Sequence, residues 1–430
     1  MVPNSIPIPL PGGMSFELSR FVKLRQKFDP AHVADIDAEI AREFKRFSGT
    51  DLKGKSVAIG AGSRGIKPQP AVVRAVIREL KAAGANPFLV PTMGSHGGGV
   101  VQGQVDILEG YGLGEKETGV PIRASMDVVE VGRLADGTPI YCDRIAFEAD
   151  YIVPCNRIKP HTDYRGPHES GLVKMIAIGM AKHKGAETLH RHGFARFHEI
   201  IPAAAKVFLE NTRVLFGIAM VENAYDDLRH VELVPAGEIF ARDTALLAMA
   251  KANIPTLLMP KVDVLFINQI GKNISGAGMD PNVTGRPGTR LPGFDIETDI
   301  HRIIVSDLTD VTHGNACGIA MADVTTQRLA QKTDWSMTYV NIVTSGEVHG
   351  GAMPLVADTD EIAMAVALRG CPNLQPVDAK IVRIANTLEL SEIWVSEPVL
   401  GDLEGNDNVE VMSRPFDAAF DSNGTWPLWT

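Results

Sequence analysis

A chain of 430 residues is longer than one hydrophobic core usually serves, so two domains are expected. With 45% hydrophobic and 22% charged residues it has the make-up of a folded globular protein. Its formal net charge of -10 argues against a general affinity for nucleic acid, and no run approaches the roughly 18 apolar residues of a membrane span.

The opening segment, "MVPNSIPIPLPGG", has neither a basic start nor an unbroken apolar stretch, so no secretory signal is expected. "SVAIGAGSRGI" reads as a buried strand, Ser56 to Gly62, that runs into a glycine turn. "PQPAVVRAVIRELKAAGA" has a proline start, helical apolar spacing and Gly84 as a stop. "NPFLVPTMG" is the next strand, and "VVQGQVDILEGYGL" after the glycine loop is the next helix. Strand, helix, strand, helix with short connections is the signature of a parallel sheet covered by helices. The pattern continues with the strand "ADYIVPCNRIKPH", the helix "HEIIPAAAKVFLEN", the strand "VLFGIAMVEN" and the helix "DTALLAMAKANI".

Between Pro255 and Pro260 the chain changes character, and "KVDVLFINQIG" opens a second α/β unit. Its later elements include "HRIIVSDL", "SMTYVNIVTSG", "EIAMAVALRG" and "KIVRIANTLELSEIWVS". The expected organisation is an N-terminal α/β domain over 1–257, a C-terminal α/β domain over 258–398, and a tail over 399–430 that packs back on the first domain. The fold class is thus two α/β domains with mainly parallel sheets and an active cleft between them. In such sheets ligands sit at the carboxyl ends of the strands.

Four cysteines, Cys142, Cys155, Cys317 and Cys371, include no CxxC pair and suit a reducing cytoplasm better than a disulfide framework. Histidine is distributed unevenly: six of the twelve fall between His161 and His198, which needs a reason.

Four stretches offer chemistry. The loop "GSHGGG" sets His96 among glycines between a strand and a helix, where the backbone N–H groups of Gly94 and Ser95 can cradle a phosphate. Its spacing matches neither GxGxxG nor GxxxxGK[ST], and the bland alternative is a turn with an exposed histidine. The segment Asn156 to Phe194 holds His161, His168, Lys174, His183, His190 and His192 with Arg157, Lys159 and Arg165. Clustered imidazoles favour metal or proton chemistry, but no HExxH or H-x-E…CxxC pattern is present. His183, Lys184, Arg191 and His192 read better as a solvated helix face. Arg64, in "SRG" at a strand end, can fork onto a carboxylate or phosphate. Gln269 and Lys272, in "NQIGKN", end the second unit's first strand and either reach a cleft or form a polar turn.

In this order the pieces resemble the nickel-pincer lactate racemase family: "GSH" at Gly94 to His96, Pro160-His161 at a strand end, "ESGLVK" ending at Lys174, and "GAETLHRH". Lys174 and His190 are 16 positions apart, the spacing expected for that family's lysine and metal-binding histidine. The similarity spans roughly Ser56 to Gly193, and more faintly "NQIGK". It implies a nickel-pincer nucleotide, a pyridinium mononucleotide with two sulfur-containing arms that hold nickel, one arm joined to a lysine as a thioamide. On the matching positions Lys174 is the tether, His190 the nickel ligand (His192 being its rival), His96 and His161 the two catalytic bases, and Arg64, Gln269 and Lys272 the substrate contacts. The implied activity is that of an isomerase, racemising or epimerising a 2-hydroxy acid. The implied partners are that small molecule and the enzymes that make the cofactor; no oligomeric state follows.

The sequence departs from the family pattern in places. Ala61 stands where an acidic residue is expected three positions before Arg64. Glycines follow His96 where an arginine-proline pair is usual. His161 and Lys174 are 13 positions apart, about three more than the family pattern, and Gly171-Leu172-Val173 replaces a glycine pair and a basic residue. These differences bear on the substrate more than on the cofactor, so a sugar acid or a malate-like acid is as admissible as lactate. Two other readings stay open: a hydrolase or lyase holding Zn²⁺ or Mn²⁺ on the histidine cluster, and a non-enzymatic protein that binds an anion on Arg64 and Lys272.

Overall fold

The computed structural model describes residues 3, 5–9, 15–62, 65–94 and 96–427. Arg64 and Ser95, both expected at the site, lie outside the described residues. The chain divides into two compact units, Asp29–Ile254 and the pairing of Met1–Phe28 with Pro255–Thr430. The boundary expected after 257 falls three residues earlier, and the first 28 residues, expected in the first domain, belong to the other unit. Both units are α/β with mainly parallel sheets, the fold class the strand-and-helix alternation predicts.

The physical reason for that division is strand β1 (Phe21–Gln26). It pairs antiparallel with a strand near residue 395 and another near 410, so its hydrogen bonds and its buried Phe21, Val22 and Leu24 tie the N-terminus to the C-terminal unit.

In the Asp29–Ile254 unit, helix α1 (Ile36–Phe44) is followed by β2 (Ser56–Ala61), α2 (Gln69–Ala82), β3 (Asn86–Pro91) and α3 (Val101–Gly110). On α2, Val72, Val73, Val76, Ile77 and Leu80 recur at helical spacing and are buried, which is why this stretch packs as a helix on the sheet. A hairpin, β4 (Val128–Arg133) and β5 (Pro139–Asp143), precedes β6 (Tyr151–Arg157). Then come α4 (Lys182–His190), α5 (Phe197–Asn211), β7 (Phe216–Glu222), β8 (Leu228–Pro235) and α6 (Ile239–Lys251). The sheet order is β3-β2-β6-β7-β8, parallel except for β8. From β2 the chain crosses to β3 on one side, and from β6 to β7 on the other. The switch point between β2 and β6 is where such a sheet opens a crevice at its carboxyl ends.

In the other unit β9 (Lys261–Ile270), β10 (Asp299–Leu308), β11 (Val324–Thr326), α7 (Trp335–Ser345), β12 (Leu355–Ala357), α8 (Asp360–Arg369), β13 (Ile381–Ile384), β14 (Glu392–Ser396) and β15 (Val409–Val411) follow in turn. The eight-stranded order is β12-β11-β10-β9-β13-β14-β1-β15. The first five strands are parallel and the last three antiparallel. The tail belongs here, which differs from the expected return to the first domain. Phe416 bridges Phe21, and the buried Trp426 packs edge-on against Phe21 and Phe266, with ring centres 5.4 and 4.9 Å away. Arg383 lies over Trp426 and donates to the carbonyls of Trp426 and Pro427. The four cysteines are unpaired. Among the described residues no helix is long and apolar enough to cross a membrane.

Candidate functional site

The site is built on the loop that leaves β6. Lys159 and Ser170 exchange backbone hydrogen bonds of 2.9 and 3.1 Å and so close the base of the loop. Inside it the carboxylate of Glu169, with no exposed side-chain surface, accepts from the His161 N–H (2.7 Å), Arg165 Nη1 (3.2 Å) and Lys251 Nζ (2.6 Å). The Tyr164 hydroxyl donates to the Glu169 carbonyl at 2.9 Å. Two cations and a backbone donor thus satisfy one buried carboxylate, the condition under which burying it is tolerated. The consequence is a fixed His161.

His161 is buried, with its ring 4.5 Å from that of Tyr164. Its Nδ1 accepts the Asp163 N–H at 2.9 Å, and the Asp163 carboxylate lies 3.5 Å from the same nitrogen. Its Nε2 meets Nζ of Lys174.

Lys174 ends the helical turn Leu172–Lys174, which continues into a buried π-helical segment, Met175–Gly179. Such π segments are rare and recur at functional sites. Asp243, on α6, starts the turn: its Oδ2 accepts from the N–H groups of Leu172 (2.7 Å) and Val173 (3.3 Å), and its Oδ1 pairs with His168 Nδ1 at 3.2 Å. Asn156 Nδ2 donates to the Gly171 carbonyl at 2.9 Å. A Cβ on Gly171 would sit 2.3 Å from Asp243 Oδ2, so a glycine is what lets the carboxylate reach the helix start.

His190 closes α4. Its Nδ1–H donates to the Ala186 carbonyl at 2.6 Å, which leaves Nε2 as the nitrogen with a free lone pair. Burial pushes its pKa below the usual histidine value; the bond to Ala186 opposes this and the nearby Lys174 charge adds to it. The imidazole is therefore neutral at neutral pH, the form a metal takes. His192 turns elsewhere: its Nε2 is 3.1 Å from Thr138 Oγ1 and its Nδ1 4.0 Å from Asp136. His183, Lys184 and Arg191 are exposed. The Phe194 ring links the two inner histidines, 6.1 Å from His161 and 5.8 Å from His190.

His96 stands exposed on the loop after β3, two strands from β6. Gly94 is buried with φ +60°, and Gly97, Gly98 and Gly99 all take left-handed values. At Gly97 a Cβ would lie 2.6 Å from the backbone of Gly103, so close approach as well as φ requires glycine there. In the other unit, Gln269 Nε2 donates to the Leu308 carbonyl at 3.5 Å and Lys272 Nζ to the Gly276 carbonyl at 2.5 Å.

The structure thus brings together His161, Lys174 and His190, keeps His96 on a separate loop of the same unit, and puts Gln269 and Lys272 in the other unit. Among the described residues no three His, Cys, Asp or Glu side chains converge as a metal site. A Zn²⁺ or Mn²⁺ centre built from the histidine cluster lacks a donor set there. A group that brings its own donors and takes one lysine and one neutral histidine fits what is present. Of the residues that position these, Glu169 opens "ESGLVK" and Asn156 opens the histidine-rich segment without a role being read for either, and Asp243 carries no motif at all.

Fold and site together define an α/β protein with an ionisable cluster at strand carboxyl ends, close to a topological switch point. A family model for a domain of unknown function (DUF362) matches residues 60–247, which contain His161, Lys174 and His190. No curated protein shows significant sequence similarity to the chain. Among solved structures, the lactate racemase apoprotein from Thermoanaerobacterium thermosaccharolyticum is similar with a TM-score of 0.52, over 89% of this chain and 96% of that one. At 14% identity this likeness establishes a shared fold.

Proposed function

We propose that the chain is an isomerase that racemises or epimerises a 2-hydroxy acid, lactate or a larger one, with a nickel-pincer nucleotide tethered to Lys174. The observation that carries the reading is the convergence of the Lys174 amine, His161 and a neutral His190 in one cluster. The racemase fold of the solved neighbour supports it.

In this reading Lys174 holds the cofactor covalently and His190 Nε2 supplies the protein's ligand to nickel. When bound, the cofactor supplies the acceptor and donor for the hydride on C2 of the substrate. Gly94 and Ser95 offer backbone N–H groups to its phosphate.

His161 moves the hydroxyl proton. With Nδ1 accepting the Asp163 N–H, the ring presents Nε2 to Nζ of Lys174, the atom that this reading joins to the cofactor. With Lys174 joined to the cofactor, the other tautomer would take over. Nδ1–H then turns to the Asp163 carboxylate, and Nε2 accepts the substrate's hydroxyl proton. Asp163 stabilises the imidazolium that results. Loss of the hydroxyl proton and the C2 hydride leaves a planar 2-keto acid; return of the hydride to the opposite face of C2, with the proton going back to oxygen, inverts the centre. His96 serves the enantiomer presented from the other side. A positioned base of this kind is worth roughly 10²–10⁴-fold. Arg64, Gln269 and Lys272 are assigned to the substrate carboxylate, where charge and orientation lower the barrier.

The test is isotopic. A substrate deuterated at C2 should yield an inverted product that keeps its deuterium, because the hydride returns to the same carbon. Wash-out of deuterium to solvent would contradict the reading.

A further inference from the structure

Beneath the His96 loop lies a buried polar cluster that plays no part in the chemistry above. Lys182, the first residue of α4, and Asp143, the last of β5, have no exposed side-chain surface, and Nζ is 3.0 Å from Asp143 Oδ2. The ammonium also donates to the Pro91 carbonyl at 2.5 Å and to Gln104 Oε1 at 3.4 Å. Gln104, itself fully buried on α3, passes the contact on: its Nε2 donates to the carbonyls of Gly94 (3.0 Å) and His96 (3.2 Å).

This arrangement is costly in two ways. Lys182 has φ +55°, a left-handed backbone that a long side chain rarely adopts. Burial also disfavours both charges, pushing the Lys182 pKa down and the Asp143 pKa up. An apolar pair of similar volume would avoid both desolvation costs. What the polar pair alone provides is a fixed position for three carbonyls, those of Pro91, Gly94 and His96. Gly97, Gly98 and Gly99 contribute no side chains, and the bonds from the His96 N–H to the Met93 carbonyl (3.1 Å) and from the Gly99 N–H to the His96 carbonyl (3.3 Å) run within the loop itself. His183, the next residue of α4, already touches it: a Cβ on Gly99 would lie 3.0 Å from His183 Nδ1.

We propose that Lys182, through Gln104 and with Asp143 as its counter-ion, is a positioning residue for His96, a clamp that fixes the loop on which this base stands. One helix, α4, then sets both the height of His96 at its start and the metal ligand His190 at its end. The value of the clamp for catalysis rests on the reading of His96 as a base; the clamp itself does not. A base displaced by about 1 Å can lose on the order of 10²-fold in rate.

The test uses the full chain and two variants. Lys182→Met combined with Asp143→Asn removes both charges at once, so neither is stranded, and Asn keeps the bond that Asp143 Oδ1 accepts from the Ala146 N–H. Gln104→Leu cuts the link to the loop and leaves the pair intact. Hydrogen exchange followed by mass spectrometry should show amides between Gly94 and Gly99 exchanging about tenfold faster in both variants, with β2 and β6 unchanged. In cofactor-loaded protein kcat should fall on the order of 10²-fold with KM little changed. Unchanged loop exchange would overturn the proposal, and so would faster exchange throughout the unit, which would make the pair a plain stabiliser. If the loop loosens while even the parent protein turns over no 2-hydroxy acid, the racemase reading fails and the clamp stands.

Discussion

Nζ of Lys174 lies against Nε2 of His161, and the opposite ring nitrogen is committed to the Asp163 backbone. In the proposed reading the tether and the base are therefore neighbours before any cofactor arrives, and modifying Lys174 would change what His161 Nε2 faces. The two residues should separate cleanly by mutation. His161→Ala should still accept the cofactor on Lys174 but lose roughly 10²–10⁴-fold in turnover. Intact mass and a racemisation assay on one preparation would read both. Loss of the tether in this variant would show that His161 acts in loading.

Gly171 and Asp243 make the second prediction. With only 2.3 Å between a Cβ at 171 and Asp243 Oδ2, Gly171→Ala must push the carboxylate off the helix start that carries Lys174. Chemical denaturation should show a loss of about 1–3 kcal/mol. Asp243→Ala removes the same cap from the other side and should cost about 0.5–2 kcal/mol, with more if His168 is left without its partner. Wild-type midpoints in both variants would contradict this account of the turn.

Glu169→Gln keeps the shape of the buried side chain and removes the charge that Arg165 and Lys251 face. Removing one member of a buried charge cluster typically costs about 3–5 kcal/mol, and the partial exposure of both cations should bring the loss to the lower end of that range. Urea titration of the two proteins measures it.

The lowered pKa of His190 has a definite sign. The folded protein binds this proton less readily than the unfolded chain does, so unfolding is accompanied by proton uptake as pH falls through about 6.5. The contribution to stability is intact above that pH and is lost progressively below it, down to the folded pKa. His190→Gln removes the titrating group. Its stability should therefore fall less steeply between pH 7 and 5 than that of the parent, as measured by denaturant midpoints at each pH. Parallel curves would mean that His190 is not held neutral.

Much of the fold was legible because its elements announce themselves locally. The alternation of short apolar strands and periodic helices from Ser56 onward marks the parallel sheet, and the order Pro160-His161, Lys174, His190 marks the cluster. What was not legible depends on partners far along the chain. Asp243 caps Leu172 from 71 positions away, and nothing in "RDTALL" distinguishes it from an exposed helix acid. Strand β1 finds its partners more than 360 residues later. The tail reads as polar and turn-rich, yet the buried Trp426 packs against Phe21 and Phe266 and helps to fix where it lies. Trp426→Ala should accordingly destabilise the unit containing β9 by about 3–5 kcal/mol.

The central claim, that Lys174 is a cofactor tether beside a metal-binding His190, is tested most directly by intact mass and nickel content. The protein should be co-produced with the enzymes of pincer synthesis, alongside Lys174→Ala and a known pincer enzyme as control. The account predicts a mass increase on the parent chain that maps to Lys174, about one nickel per chain, and neither in the variant. An unmodified parent chain beside a loaded control would contradict it.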